Sequence, residues 1–174
     1  VTPDSFSDGG HYTGLKAALA QAEHLLQEGA DIIDIGGEST RPGSEPVSAV
    51  EQIRRVVPVI EALRQSHPDV VISIDTTSSA VAAKALDAGA NVINDISAGL
   101  ADAEMLALAA ARQVPIILMH MQGTPKTMQD DPVYEDVMAE VTVFLRQRIA
   151  AALAAGIKPE NLAIDPGIGF GKRK

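Results

Sequence analysis

Short apolar runs alternate with amphipathic helical stretches along the whole chain. Each run is too continuous for a half-exposed strand and suits a strand that is covered on both faces, as in a parallel sheet. The predicted strands are DIIDI (31–35), VVISID (70–75), ANVIND (90–95), PIILMH (115–120) and LAID (162–165). The pattern therefore predicts an α/β fold built on a parallel sheet.

Residues that begin and end helices mark the segments between these strands. Ser48 and Glu51 form a capping-box pattern ahead of a periodic apolar stretch, and Asp131 followed by Pro132 predicts a second helix start. The glycines predicted to end helices are Gly29, Gly89 and Gly156. No linker, charge block or low-complexity segment divides the chain, so the whole span 1–174 is predicted to be one domain.

Two architectures fit a succession of β/α units. A doubly wound sheet usually carries a G-x-G-x-x-G loop after its first strand, and the sequence there is GGESTRPG. A (β/α)8 barrel instead collects its chemistry at the carboxyl ends of many strands. The polar residues at the predicted strand ends are Asp34, Asp75, Asn94 with Asp95, His120 and Asp165. Five polar strand ends in succession favour the barrel.

The length of the chain bears on how much of a barrel it contains. A (β/α)8 barrel takes about 250 residues, whereas this chain has 174 residues and five predicted strands. We therefore expect it to supply strands two to six and the first loop. The first strand and the last two strands are expected to lie outside it.

Composition and charge exclude several classes of partner. A net charge of −9 argues against binding nucleic acid or an anionic membrane surface, which usually requires a basic patch. No apolar run approaches the length of a membrane span, and no signal-peptide pattern opens the chain. The chain contains no cysteine, which together with the missing export signal favours the cytoplasm.

The side chains at the strand ends favour a particular kind of ligand. A carboxylate accepts paired hydrogen bonds from a planar N–H/NH2 edge, and an asparagine can both donate and accept. Apolar residues beside them are suited to sandwich a flat ring, and these are Ile96, Met119, Met121 and Phe170. A flat nitrogen heterocycle is therefore predicted, although these residues alone do not identify it.

Six motifs in order along the chain resemble those of the dihydropteroate synthase family, the folate-pathway enzymes that sulfonamides target. They are VTPDSFSDGG (1–10), GADIIDIGGESTRPG (29–43), SIDTT (73–77), VINDIS (92–97), LMHMQGTPKTMQ (118–129) and IDPGIGFGK (164–172). The resemblance implies a (β/α)8 barrel that condenses 6-hydroxymethyl-7,8-dihydropterin pyrophosphate with p-aminobenzoate. It also implies a dissociative mechanism, Mg²⁺ as cofactor and a homodimeric parent protein.

The resemblance also implies which residues bind the substrates. Those matching the pterin pocket are Asp75, Asn94, Ile96, Met119 and Asp165. Those matching the loops around pyrophosphate and p-aminobenzoate are Phe6, Thr40, Arg41, Pro42, Gly169 and Phe170. No side chain is assigned as acid, base or nucleophile. The family's magnesium-linked asparagine is expected just before Val1, and its later lysine and arginine-x-histidine site are expected beyond Lys174, so the span alone is expected to be inactive.

Other interpretations remain open. A pterin-binding methyltransferase domain uses a similar barrel, and a non-catalytic module that binds pterin or a partner subunit would share many of these residues. His120 is interpreted as a structural histidine. The basic residues 172–174 are interpreted as a solvated end of the chain.

Overall fold

The computed structural model describes residues 11–39, 46–124, 127–128 and 132–172, with side chains from residue 14 onward. Helices and strands alternate throughout this part of the chain. In order they are α1 His11–Gln27, β1 Ile32–Gly36, α2 Ala49–Ser66, β2 Val71–Asp75, α3 Ser79–Asp87, β3 Val92–Asp95, α4 Met105–Arg112, β4 Ile116–Met119, α5 Val137–Ala154 and β5 Leu162–Asp165. A short 3-10 turn, Pro159–Asn161, precedes β5. Among the described residues, no helix is both long and apolar enough to cross a membrane.

The five strands form one parallel sheet in the order β1-β2-β3-β4-β5. This order follows the chain, with each strand beside the next one. A doubly wound sheet reverses its strand order at a switch point, whereas a β/α barrel does not. The strand order therefore confirms the barrel prediction, and each of the five predicted strands is present.

The two faces of the sheet carry different side chains because residues alternate along a strand. One face is apolar and packs against the helices. Its fully buried members are Ile33, Ile35, Ile72, Ile74, Ile93, Ile116 and Leu118, which join helix residues such as Val56, Ile60, Leu63 and Val81 in one core. The opposite face carries Asp34 and Ser73, which are paired in register. These polar side chains therefore lie on the face of the sheet that the helices do not cover.

The observed helix boundaries can be compared with the helix starts and ends predicted from the sequence. The Ser48 side chain accepts a hydrogen bond from the Glu51 amide at 3.3 Å, which confirms the predicted cap of α2. Gly29, Gly89 and Gly156 follow α1, α3 and α5 with φ of 94°, 115° and 95°. This left-handed conformation favours glycine. The three predicted helix ends are confirmed.

The predicted start of α5 is wrong. Pro132 lies outside the helix, and Asp131 lies outside the described residues. The helix begins at Val137, because the Asp136 carboxylate accepts from the amides of Met138 and Ala139, each at 3.0 Å. Glu140 accepts in return from the Asp136 amide at 3.1 Å. This reciprocal cap satisfies the free amides of the first turn.

Arg64 stabilises the amino-terminal end of the sheet. Its guanidinium donates to the carbonyl oxygens of Val70 at 2.8 Å and Gly89 at 2.9 Å. It also donates to the Asn91 side chain at 2.7 Å, and Asn91 accepts from the Ile72 amide. One side chain of α2 thus holds the entries to β2 and β3, leaving the carboxyl ends of the strands for binding.

Candidate functional site

The sheet register brings predicted site residues to one end of the molecule. Asp75 pairs with Asn94 across β2 and β3, and Met119 pairs with Asp165 across β4 and β5. Ile96 follows β3 directly and is 5% exposed. All five residues predicted for the heterocycle pocket therefore lie at or just beyond the carboxyl ends of adjacent strands.

A cavity of about 400 Å³ opens at this end. Asp75, Ile96 and Met121 contribute to its wall, together with Glu38 and Gln52. Its wall does not include Asn94, Met119 or Asp165, which lie along the same sheet end. The cavity therefore includes two of the five predicted pocket residues, and the other three lie along the adjoining strand ends.

Asp34, which was predicted only as a polar strand end, extends the polar cluster. The Ser73 hydroxyl donates to its Oδ1 at 2.5 Å, and the Asn94 amide nitrogen donates to its Oδ2 at 3.4 Å. The second contact orients the Asn94 side chain with its nitrogen toward Asp34. The pairing of β1 with β2 creates this cluster.

Asp75 has an altered acidity. Burial and the nearby Asp34 carboxylate raise the pKa of Asp75 to about 7, with smaller contributions from Asp95 and Glu38. The carboxyl is therefore close to half-protonated at neutral pH. A ligand that donates hydrogen bonds would favour the charged form.

Asp75→Asn is expected to stabilise the protein in a pH-dependent way. The pKa of Asp75 is about 7 in the fold against 3.8 for an ordinary aspartate, so the folded state binds the proton more tightly. The stability of the wild type should then fall as pH rises from about 4 to 7. Asparagine avoids this loss. Thermal unfolding should show the variant melting about 5 °C higher at pH 8, with the difference shrinking toward pH 4.

The matched control for this variant is Asp69→Asn, which removes the same charge at an exposed position before β2. Because Asp69 is exposed, this substitution should change the melting temperature little at either pH. An Asp75→Asn difference that is equal at pH 4 and pH 8 would contradict the raised pKa.

Asp95 organises the loop that carries Ile96. Its carboxylate is fully buried and accepts from the Ser97 amide at 2.8 Å, the Ser97 hydroxyl at 2.7 Å and the Gly99 amide at 2.7 Å. Burial is the largest influence on the pKa of Asp95 and raises it, while these hydrogen bonds oppose the shift. Ala98 adopts a φ of 53°. These contacts fix the backbone on either side of Ile96.

The glycine-rich segment 166–171, called here the glycine loop, folds back on the end of β4. The Gly167 amide donates to Asp165 Oδ1 at 2.7 Å, and the Tyr134 hydroxyl donates to the Gly171 carbonyl at 2.7 Å. Gly169 has a φ of 93°, and Phe170 is partly buried. The loop therefore carries Gly169 and Phe170, both predicted to lie around pyrophosphate and p-aminobenzoate, just beyond the carboxyl end of β5.

Lys172 corrects the interpretation of residues 172–174 as a solvated end. Its ammonium is partly buried and donates three hydrogen bonds to backbone carbonyls. Burial lowers the pKa of Lys172, and the Asp165 carboxylate opposes this shift. The other two residues, Arg173 and Lys174, lie outside the described residues.

His120 fits its structural interpretation. Its side chain is 6% exposed, and its ring packs edge-on against Phe144 with centroids 4.8 Å apart. Burial lowers the pKa of His120. Its Nδ1 has no hydrogen-bond partner within the part of the chain that the structure describes. A buried, neutral ring that packs against an aromatic side chain supports the wall of the site.

Four predicted residues cannot be placed. Phe6, Thr40, Arg41 and Pro42 lie outside the described residues. The flanks of the segment 40–45 are joined, because the Glu38 carboxylate accepts from the Val47 amide at 3.3 Å and from Gln52 Nε2 at 2.8 Å.

The predicted Mg²⁺ also lacks a site in this part of the chain. Within residues 11–39, 46–124, 127–128 and 132–172, no three histidine or carboxylate side chains come together as a metal site would require. The described residues therefore do not fit a bound Mg²⁺ by themselves.

Comparison with known proteins identifies the family of this chain. The family model described as pterin binding enzyme matches residues 1–174. A dihydropteroate synthase from Streptococcus pyogenes is 54% identical over 172 residues, which cover 99% of this chain and 62% of that protein. Among solved structures, the Yersinia pestis dihydropteroate synthase with a sulfonamide drug complex has a TM-score of 0.90 at 50% identity, covering 99% of this chain and 62% of that one.

A third relative was solved with a bound small molecule. The Xanthomonas albilineans dihydropteroate synthase in complex with 7,8-dihydropteroate has a TM-score of 0.83 at 46% identity, covering 99% of this chain and 60% of that one. The chain thus spans about six-tenths of the length of each of these relatives.

Proposed function

Because the chain belongs to the pterin binding enzyme family, we propose that the full-length protein is a dihydropteroate synthase. It joins 6-hydroxymethyl-7,8-dihydropterin pyrophosphate to p-aminobenzoate and releases pyrophosphate. The observation that carries the proposal is the row of acceptors at one sheet end, with Asp75 and Asn94 paired in register and Asp165 two strands away. The Xanthomonas complex with 7,8-dihydropteroate supports the same product here.

The pterin binds through its polar edge and its flat faces. Asp165 accepts from the aminopyrimidinone edge through Oδ2, because its Oδ1 already accepts from the Gly167 amide. Asn94 presents its carbonyl oxygen to the ring, since its nitrogen faces Asp34. Ile96 and Met119, both almost fully buried, line the ring. These roles rest on donor and acceptor chemistry at a shared mouth.

The p-aminobenzoate binds on the side of the glycine loop, against Gly169 and Phe170. Phe6, Thr40, Arg41 and Pro42 complete the pyrophosphate and p-aminobenzoate contacts in this proposal. Glycines in the loop let its backbone approach the ligand closely.

The reaction separates charge before it forms the new bond. The bond between the pterin methylene carbon and the pyrophosphate oxygen breaks, and the electron pair leaves with pyrophosphate. The amine nitrogen of p-aminobenzoate then attacks the methylene cation and loses a proton. Preorganised carboxylates such as Asp75 and Asp165 stabilise the cation, so no side-chain nucleophile is required. Mg²⁺ remains a proposed counter-charge for pyrophosphate, with a ligand expected before Val1, and no step is assigned to it.

The test is an assay of the full-length protein with both substrates. Pyrophosphate release should require p-aminobenzoate, and mass spectrometry should find 7,8-dihydropteroate in equal amount. Pterin binding without turnover would favour a non-catalytic module, and methyl transfer from a methylated folate would favour a methyltransferase. Either outcome would reject the synthase.

Two further properties are proposed for the full-length protein. It is a homodimer, which sedimentation equilibrium can check, and it resides in the cytoplasm, which fractionation of the source cells can check. The absence of cysteine in this chain supports the second proposal.

A further inference from the structure

The Lys172 ammonium lies among three carbonyl oxygens. Its Nζ is 2.8 Å from the Gly167 oxygen, 3.0 Å from the Phe170 oxygen and 3.1 Å from the His120 oxygen. A lysine ammonium has three N–H donors and no acceptor, so the three carbonyls use its full hydrogen-bonding capacity. The planar guanidinium of arginine cannot direct three donors from one nitrogen to three separate carbonyl oxygens.

These carbonyls belong to two different segments. Gly167 and Phe170 lie near the two ends of the glycine loop, and His120 follows β4. Lys172 therefore connects both ends of the loop to the carboxyl end of a neighbouring strand. The Phe170 amide donates to the Gly167 carbonyl at 3.0 Å, which closes the loop on itself.

The connection matters for Phe170 more than for Asp165. Asp165 is held at the end of the sheet without Lys172, since the His120 amide at the end of β4 donates to its carbonyl at 2.9 Å and its side chain accepts from the Gly167 amide. Phe170 lies beyond the last strand, and its carbonyl is a direct acceptor of Lys172. Loss of the ammonium should therefore release the ring of Phe170 while the acceptor row stays in place.

We propose that Lys172 is a positioning residue that fixes Phe170 for p-aminobenzoate by joining the glycine loop to the end of β4. This assignment rests on the proposed synthase function. It deepens the p-aminobenzoate side of the site, because Lys172 touches neither substrate and acts through the loop.

The test is Lys172→Met in the full-length protein, which keeps the length of the side chain and removes the charge. The KM for p-aminobenzoate should rise about tenfold or more, with kcat changed by less than about threefold, because a binding interaction is lost equally in the ground and transition states. The affinity for the pterin substrate, measured by calorimetry, should change less than about threefold. A lysine that only supported the fold would lower the active fraction, and hence kcat, and leave this KM unchanged.

A rescue experiment isolates the ammonium. The chain has no cysteine, so Lys172→Cys introduces a single thiol within it, and alkylation with 2-bromoethylamine rebuilds an ammonium of nearly the same length. The low KM should return after this treatment and should not return after alkylation with bromopropane. Wild-type protein carried through both reagents controls for reaction elsewhere. Lys158→Met is the matched control, since Lys158 is exposed at the other end of β5.

Hydrogen exchange separates this inference from the proposed function. The amides of residues 167–171 should exchange faster in Lys172→Met than in the wild type. If the wild type forms dihydropteroate but the variant keeps its KM, the inference is wrong and the synthase proposal stands. If the wild type forms none, the synthase proposal is wrong, and unchanged exchange in the variant would also overturn the role of Lys172 in fixing the loop.

Discussion

Asp165→Asn is expected to weaken binding of the pterin substrate by about 100-fold, or roughly 3 kcal/mol. In the structure Asp165 Oδ1 accepts from the Gly167 amide at 2.7 Å, and an asparagine oxygen can keep that hydrogen bond. The asparagine nitrogen must then occupy the place of Oδ2. A charged acceptor is thereby replaced by a donor that faces the donor edge of the pterin.

Calorimetry on the full-length protein measures this effect directly. The melting temperature should change by only a few degrees, because the turn at Gly167 is retained. Asp69→Asn is the control for loss of one negative charge, since Asp69 is exposed at the opposite end of the sheet. The Asp69→Asn variant should bind the pterin substrate with the same affinity as the wild type.

A ligand that lacks one donor makes the assignment sharper. A pterin analogue with oxygen in place of the 2-amino group should bind the wild type weakly. Asp165→Asn should weaken binding of that analogue much less than it weakens binding of the pterin. The substitution and the loss of the 2-amino group remove the same contact, so their effects should not add. If the two losses simply add, Asp165 does not accept from the 2-amino group.

The sheet was predictable from sequence because short, continuous apolar runs between helical segments are typical of strands in a parallel sheet. Each of the five apolar runs is a strand, and the predicted polar strand ends lie at or next to the carboxyl ends of their strands, except Asp34, which lies in the middle of β1 because that strand continues to Gly36. The cap at Ser48 was predictable for a similar reason, since its partner Glu51 is three residues away. A cap of this kind can be predicted from a short stretch of sequence because both of its partners lie within that stretch.

The start of α5 shows where local patterns become ambiguous. Asp131 with Pro132 is a good helix start, and Asp136 with Glu140 is also a good one. The structure uses Asp136, whose carboxylate accepts from two amides while Glu140 accepts in return. Both sequence patterns are compatible with capping hydrogen bonds, so the local sequence alone does not decide at which of the two positions α5 begins.

The parts of the site that sequence reasoning missed depend on distant partners. Asp34 was visible at a strand end, but its contact with Ser73 spans 39 residues and requires the β1–β2 register. The contacts of Lys172 were even harder to predict from the sequence, because its partners are backbone carbonyls, which every residue possesses. A lysine near two other basic residues therefore looked solvated.

Gly167→Ala is expected to reduce dihydropteroate formation by about 100-fold, or roughly 3 kcal/mol in the activation barrier. A Cβ at this position would overlap the carbonyl oxygen of His120, and Gly167 has a φ of 66°. The His120 backbone is held at the end of β4, since its amide donates to the Asp165 carbonyl at 2.9 Å. The glycine loop must therefore move instead.

That movement affects both sides of the proposed site. The Gly167 amide leaves the Asp165 carboxylate, which loses the contact that orients it. The Gly167 carbonyl leaves the Lys172 ammonium, which weakens the hold on Phe170. The pterin affinity and the KM for p-aminobenzoate should thus worsen together, whereas Lys172→Met should alter only the second.

Gly29→Ala separates backbone strain from the overlap with His120. Gly29 has a φ of 94°, but a Cβ there would meet nothing within 4 Å. Its substitution should cost about 1 kcal/mol in the free energy of unfolding, from the left-handed backbone alone, and leave the kinetic constants unchanged. Urea unfolding and steady-state kinetics on both variants make the comparison. If Gly167→Ala behaves like Gly29→Ala in both measurements, the glycine loop tolerates a side chain at 167, and close packing of the loop on β4 is not what places Asp165 and Phe170.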